Sequence, residues 1–548
     1  METNHADQDI HKIEDELHTE ILPGTEVMAD VGSIHFVKSS DKSHRVLVPQ
    51  PSDSPHDPLN WSFAWKITTI SVASYSTFCQ GFGPLSLAPM FEYYTRDFNC
   101  TLAEAVQFTG VAILVLGFSN FLWVPISTSF GKRPVYLLST TVCLGASIWR
   151  AKAQTYNSFM GASVLGGIGS GAGETIQPAV IADIFFLHSR GRWNTLVSPT
   201  ISGSMALHVG WRNFWWLNVA MLGLSLILVL FLFPETKYHR QNPDEQPTPT
   251  PRPSNEKNDI GTIEKARSSS QESNQSNNPI AISHGPDPST IPPTPHLGRG
   301  HPSRSQWRLY QTNTHPLHDI FLGLWVPWKL FAFPIIEFAS FVVSFSCACF
   351  LAVNLTQTQA FAAPPYNFSS EVIGFTNFAI LIGAFIGLST AGPLSDWVSA
   401  RATRANNGIR EPEMRLPAMM PYVLIMILGS VCLGVGYEEH WSWAAIVVVG
   451  FACQGIQVAA LPAIVTTYAV DSYKPVAGSL FVSVTVNKNL WGYGFSKFVT
   501  PWIDSDGFIA PIMTNCALTT LFCSFGVLFY YKGKTFRRWS KDSSVHRM

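Results

Sequence analysis

TYNSFMGASVLGGIGSGAGETIQPAVIADIFF, residues 155–186, decides the fold of this chain. The stretch has the length of a tilted helix that crosses a bilayer, and it carries almost no charge. Glu174 nonetheless sits near its middle, and Asp183 lies one to two turns from its end. A carboxylate at bilayer depth costs about 3 kcal/mol on insertion scales, so it faces a partner or a watery cavity. Gly161, Gly166, Gly167, Gly169, Gly171 and Gly173 would let another helix backbone approach closely. Two readings of Glu174 stay open. It is either a structural acid paired inside a packing helix, or a proton- or cation-handling group on a transport pathway.

The rest of the chain has the same character. Only 13% of its 548 residues are charged, against roughly a quarter in soluble domains. Long polar segments dilute the apolar ones and hold the mean hydropathy to +0.15. With a net charge of −1 and no basic cluster interleaved with aromatics, nothing favours nucleic acid as a partner. The nine cysteines fall mostly in apolar runs without CxxC spacing, as small packing residues rather than zinc ligands or a disulfide framework. No GxxxxGK[ST] loop, catalytic constellation or metal-spaced histidine occurs, so the expectation is a non-enzyme without cofactor or metal. Residues 1–60 lack an apolar h-region, which leaves the first span as the insertion signal.

Apolar runs of spanning length recur at 64–90, 105–126, 135–149, 155–186 and 214–233, numbered spans one to four and six. A second set, spans seven to twelve, follows at 331–355, 372–394, 417–436, 443–470, 476–501 and 508–531. One further run, 195–209, stands where span five belongs. The expected organisation is all-α, with a disordered N-terminus (1–60), a first helix bundle (61–233), a linker (234–316), a second bundle (317–531) and a tail (532–548). The linker is rich in Pro, Ser and Asn and is expected to stay disordered. At its end LHDIFLGLWVPWKLF is amphipathic enough to lie along the membrane interface.

The halves repeat. VPISTSFGKRP (124–134) follows span two, and AGPLSDWVSAR (391–401) follows the corresponding span eight. A small or polar tight turn with basic residues in both places argues duplication. Lys132, Arg133, Arg190, Arg192, Arg401, Arg404, Arg410, Arg415 and the tail KGKTFRRWSK share one side. Glu92, Asp97, Glu371, Glu438, Glu439, Asp504 and Asp506 take the other. The positive-inside rule then puts both termini and the linker in the cytoplasm. The triplets Asn99-Cys100-Thr101 and Asn367-Phe368-Ser369 land on the outer face as glycosylation acceptors.

Two six-span halves, a central loop and these signature loops resemble the major facilitator superfamily, specifically fungal twelve-span transporters of the drug:proton antiporter type. The likeness is densest in GSGAGETIQPAVIADIFFLHSRGRWNTL, ISGSMALHVGWRNFWWLN, EPEMRLPAMMPYVLI and AVDSYKPVAGSLFVSVTVNKNLWGYGFSKF. The resemblance implies a cavity at midplane between the halves, alternating access, a small-molecule substrate, protons as coupling ion, a monomer, and residence in the plasma or vacuolar membrane. It places gating loops at Gly131, Lys132 and Arg133 and at Gly392, Asp396 and Arg401. It also implies that Asp183 pairs with the loop at Lys132 and Arg133; Asp471 ends span ten in the same way. A solvated interfacial Asp183 is the alternative.

Three departures stand out. The acidic place of the first loop is Thr128, the usual span-four arginine is Ser163, and the Gly/Pro-rich motif of span five is reduced to TLVSPTISGSMALHV. Fifteen helical residues rise about 22 Å against roughly 30 Å of hydrocarbon. Span five is therefore shortened and strained, or part of the chain is missing from this sequence. The second option is the favoured one.

Within the cavity, Glu174 with Gln177 one turn on stands for the first half. Asn487-Lys488-Asn489, at the middle of span eleven, stands for the second. Lys488 is either held by carbonyls and the flanking amides or paired with Glu174 or an anionic substrate group. Gln80, Gln454 and Gln457 are uncharged substrate-contact candidates, and Glu337 reads as interfacial. The function expected is proton-coupled efflux of a drug, toxin or secondary metabolite. Import of a cationic nutrient such as a polyamine, or a non-transporting sensor or remnant, are the alternatives. An epitope on the tail should stay inaccessible to antibody outside intact cells; labelling there would overturn the topology.

Overall fold

Eleven of the apolar runs fold as eleven long helices in the computed structural model, which describes residues 26–27, 52, 54–85, 87, 90–185, 211–238, 298–313, 315–406, 409–473 and 476–540. In the first half these are span one (Phe63–Leu85), span two (Leu102–Phe130), span three (Lys132–Lys152), span four (Tyr156–Ile184) and span six (Trp211–Leu232). The second half holds span seven (Pro334–Phe361), eight (Ser370–Ala405), nine (Met420–Glu438), ten (Trp443–Ser472), eleven (Ala477–Asp506) and twelve (Ile509–Ser540). Among the described residues, seven of them are apolar enough along an 18-residue window to cross a membrane on composition alone. Spans one, three, four and eleven are not. They carry Lys66, Arg150, Glu174 and Lys488, charges that neighbouring helices must shelter.

The expectation for 195–209 lies outside the described residues, as does most of the linker. Span six begins at Trp211 and includes Arg212. Local chemistry sets several starts. Thr101 and Glu104 form a reciprocal capping box on span two, and Thr155 and Ser369 accept first-turn N–H groups of spans four and eight. Asn99 and Asn367 turn the chain just before spans two and eight with φ of 47° and 50°, a left-handed region that Asn tolerates better than most residues. Both asparagines are exposed.

Span four packs on spans one, two and three, while span six packs on one and three. In the second half, span ten packs on seven, eight and nine. The halves meet where span two lies along span eleven. Near one end Phe108 and Ile113 share a core with Leu351, Leu355, Phe495 and Val499. Near the other, Val124 clusters with Val482 and Val486. Gln107 Nε2 donates to the Ser496 carbonyl at 3.2 Å across this seam. Helix Pro316–Leu330 covers the seam at the end that bears Lys132. Trp328 stacks on Phe121 at 5.1 Å, while Leu317 and Phe321 stay exposed. A two-residue strand, Glu26–Val27, pairs antiparallel with Ile409–Arg410 beyond span eight.

The duplication is less literal than the loops suggested. Gly131 does break the chain between spans two and three, with φ 104°. At Gly392, by contrast, span eight continues without a turn to Ala405. A Cβ at Gly392 would meet nothing within 4 Å. The tight turn expected at 391–401 is therefore corrected to helix, its polar face held from outside by Arg415. Span twelve likewise runs past the expected Tyr531 boundary to Ser540, because Arg537 in that extension is fully buried against acids.

A Cβ on Gly117 would lie 2.7 Å from the Asn489 Cβ, whereas one on Gly145 meets nothing within 4 Å. Gly117→Ala should therefore push spans two and eleven apart and destabilise by about 1–3 kcal/mol. Gly145→Ala should be neutral or stabilising by up to about 1 kcal/mol through helix propensity. Thermal unfolding midpoints of the two purified variants check this, and equal midpoints would disprove the close-packed seam.

Candidate functional site

Glycines decide where Glu174 points. A Cβ at Gly171 would strike the Ser119 hydroxyl, and one at Gly169 would lie 2.5 Å from the Cys143 sulfur. Span four thus sits backbone-close on spans two and three. The face left over looks across the seam. There Lys488 Nζ stands 2.7 Å from Glu174 Oε1, and Asn489 Nδ2 lies 3.4 Å from Oε2. The two charged side chains keep 31% (Glu174) and 21% (Lys488) of their surface exposed. Next to Glu174, Thr175 donates to Asn120 Oδ1 at 2.7 Å, which ties span four to span two beside the pair. The expected pairing of Glu174 with Lys488 is present in this geometry, and it is an ion pair between the halves.

The other cavity candidates are placed differently. Gln177 and Asn487 are half-buried, and among the described residues their side chains make no hydrogen bond. Gln454 and Gln457 are buried inside the second bundle. Gln457 Nε2 donates to Gln454 Oε1 at 3.1 Å and to the Ser346 carbonyl, while Gln454 Nε2 donates to Ser430. Gln80 is buried in the first bundle and donates to Ser139 and Thr140 of span three, each at 3.0 Å. These three glutamines tie helices within a bundle. Trp491 packs edge-on against Phe345. Glu337 lies in the first turn of span seven, with a buried Oε1 that has no hydrogen-bond partner. Ser163 is buried and donates to the Phe159 carbonyl. The guanidinium nearest its level comes from span three, where Arg150 lies over Gly166.

The second constellation is at the end that bears Lys132. Lys132 Nζ pairs with Asp183 Oδ2, and Thr236 donates to the same oxygen at 2.9 Å. The backbone N–H groups of Lys132 and Arg133 donate to Glu235 at 3.0 and 2.9 Å. Glu235 is fully buried. It caps the orphan donors that begin span three and meets the positive helix end. Lys237 Nζ reaches the Thr128 carbonyl at 2.6 Å, and burial pushes its ammonium below the ordinary lysine range, offset in part by Glu235. Arg133 donates to the carbonyls of Trp307, Arg308 and Leu230.

The second half mirrors this with other partners. Arg415 stands 3.0 Å from Asp396 and 2.9 Å from Asp471. Arg537 from span twelve reaches Glu411 at 2.5 Å and Glu413 at 2.8 Å. Arg401 lies apart, exposed, its guanidinium 5.9 Å from the Trp397 ring. Glu235, Glu411, Glu413 and Arg537 escaped sequence reasoning. Their one visible signal was an acid or base directly past an apolar span, in PETK (234–237), EPEMR (411–415) and the tail.

The family model of the Major Facilitator Superfamily matches residues 73–486. An uncharacterised MFS-type transporter of Schizosaccharomyces pombe is 25% identical, covering 95% of this chain and 94% of that protein. The MFS antiporter QDR3 of Candida albicans is 23% identical over 78% of this chain and 71% of its own length. Among solved structures, the proton:xylose symporter XylE aligns with a TM-score of 0.53 at 13% identity, covering 87% of this chain and 97% of that one, a likeness of fold. With a family model spanning most of both halves and the helices arranged as described, this chain belongs to the Major Facilitator Superfamily, as a multi-pass membrane transporter.

Proposed function

We propose that the chain exports a small organic molecule in exchange for protons, with Glu174 as the proton-carrying group and Lys488 as its switch. The observation that carries this reading is the Glu174–Lys488 contact at 2.7 Å, formed between the halves rather than within one. Rocking of the halves separates such a pair. Paired, the two charges offset each other; parted, each loses its counter-charge in a low-dielectric cavity. Similarity to a protein named an antiporter supports exchange. The Lys132–Asp183–Glu235 and Arg415–Asp396–Asp471 networks then act as latches at the cytoplasmic end, each made and broken once per cycle. Asn99 and Asn367 are the proposed outer glycosylation sites.

Glu174→Gln should abolish pH-gradient-driven flux in vesicles while leaving the protein folded and able to exchange substrate; intact coupling in that variant would return Glu174 to a packing role. Lys488→Met alone should destabilise by about 1–3 kcal/mol. That is less than the 3–5 of a fully buried pair, because both side chains stay partly exposed. Adding Glu174→Gln should recover about 1–2 kcal/mol of the loss, and simple additivity in unfolding measurements would mean the pair is not coupled. At the latch, Glu235→Ala removes three charge-assisted hydrogen bonds, from the N–H groups of Lys132, Arg133 and Lys237, and should cost about 2–4 kcal/mol. Hydrogen exchange at 127–136 should speed up accordingly, and unchanged exchange there would reject the latch.

A further inference from the structure

Arg150 lies in the last turn of span three, at the end away from Lys132, and only 1% of it is exposed. Its guanidinium is drawn into the first bundle. The Trp215 ring lies 4.5 Å below it. Nε and Nη2 are buried without a hydrogen-bond partner, and among the described residues no carboxylate pairs with it. Span five offers none by sequence either, since residues 186–210 contain no Asp or Glu.

The space around the guanidinium is built. A Cβ at Gly166 would come 2.7 Å from Nη2, and one at Gly83 would come 3.2 Å from Nη1, so two glycines from two other spans hold the cradle open. The cradle opens on a cavity of about 10 Å³ walled by Gln80, Ser147, Asn218 and Arg150 among others. That is room for a single particle of about the size of water. Gln80 Oε1 and Asn218 Oδ1 on its wall are also buried and unpaired.

A buried cation is retained when something offsets its lost hydration. The Trp215 face does so in part, through its ring quadrupole. A water in the cavity would satisfy the free N–H groups and leave the charge. A monatomic anion meets both, accepting from Nε and Nη2, from the Ser147 hydroxyl and, with the Gln80 and Asn218 amides both turned so that their NH2 groups replace the unpaired oxygens on the wall, from Nε2 and Nδ2, the turned Gln80 oxygen then accepting from the Ser139 or Thr140 hydroxyl. The cavity is too small for sulfate or a carboxylate-bearing molecule. We propose that the first bundle holds a buried site for one halide ion at Arg150, distinct from the Glu174–Lys488 seam. Its occupant lets spans one, three, four and six close around an otherwise unmatched charge.

The probe is chloride. Purified full-length protein, titrated from sodium gluconate into sodium chloride at constant ionic strength, should show a saturable rise in unfolding midpoint, with bromide also effective and sulfate not. Arg150→Met, which removes the charge at similar bulk, should unfold at the same midpoint in both salts and in gluconate be no less stable than the parent. Gly166→Ala, which narrows the cradle, should weaken the halide response more for bromide than for chloride, and it serves where Arg150→Met does not fold. A parent midpoint indifferent to chloride would mean that the cavity holds water, and the proposal fails. It fails equally if the chloride response survives intact in Arg150→Met, or in Gly166→Ala where that variant stands in.

Discussion

Charge that has left water must be met by something, and that constraint organises this transporter more than any apolar contact does. Glu174 and Lys488 lie on helices too polar to cross a membrane unaided by composition alone, and they are met by each other. Because the partners belong to different halves, the seam between spans two and eleven is electrostatic as well as apolar. Gly117 and Gly110 bring the backbones close enough for Asn489 and Ser496 to fit against span two. Remove the close approach and the pair loses its geometry; remove the pair and the seam shelters an unmatched charge. Packing and charge are here one requirement.

The same constraint recurs at the basic end with its signs exchanged. In the first half a buried acid past span six, Glu235, holds the N-terminus of a helix that begins with two cations. In the second half a buried base in the last turns of span twelve, Arg537, holds two acids ahead of span nine. The acids that end spans four and ten keep the same sign and place, Asp183 on Lys132 and Asp471 on Arg415. The two halves share the position of each tie while its chemistry is inverted, since a salt bridge reads the same from either side.

What the sequence made legible follows from periodicity and length. Eleven of the expected spans appear, and Glu174 and Lys488 were found because an ion inside an apolar run is conspicuous. The uncharged amides are less telling for the converse reason. Gln80, Gln454 and Gln457 could line a cavity, yet a buried amide is satisfied as readily by a neighbouring Ser, Thr or carbonyl within its own bundle, as these are here. The turn expected at Gly392 failed because glycine and proline mark only where a chain can turn. Glu235 and Arg537 were hidden because their partners lie about one hundred residues or more away, and no local spacing announces such a contact.

The two triplets at Asn99 and Asn367 illustrate how a fold can generate a sequence pattern by itself. Each asparagine occupies a left-handed turn, and the hydroxyl two residues on, Thr101 or Ser369, accepts a first-turn N–H of the helix that follows. Turn and cap alone therefore generate the pattern Asn-x-Ser/Thr, once per half, at the entrance to spans two and eight. In a helical protein of two like halves the motif then arises as geometry, and its appearance at matched places in both follows from how the chain must enter each helix, independently of any sugar.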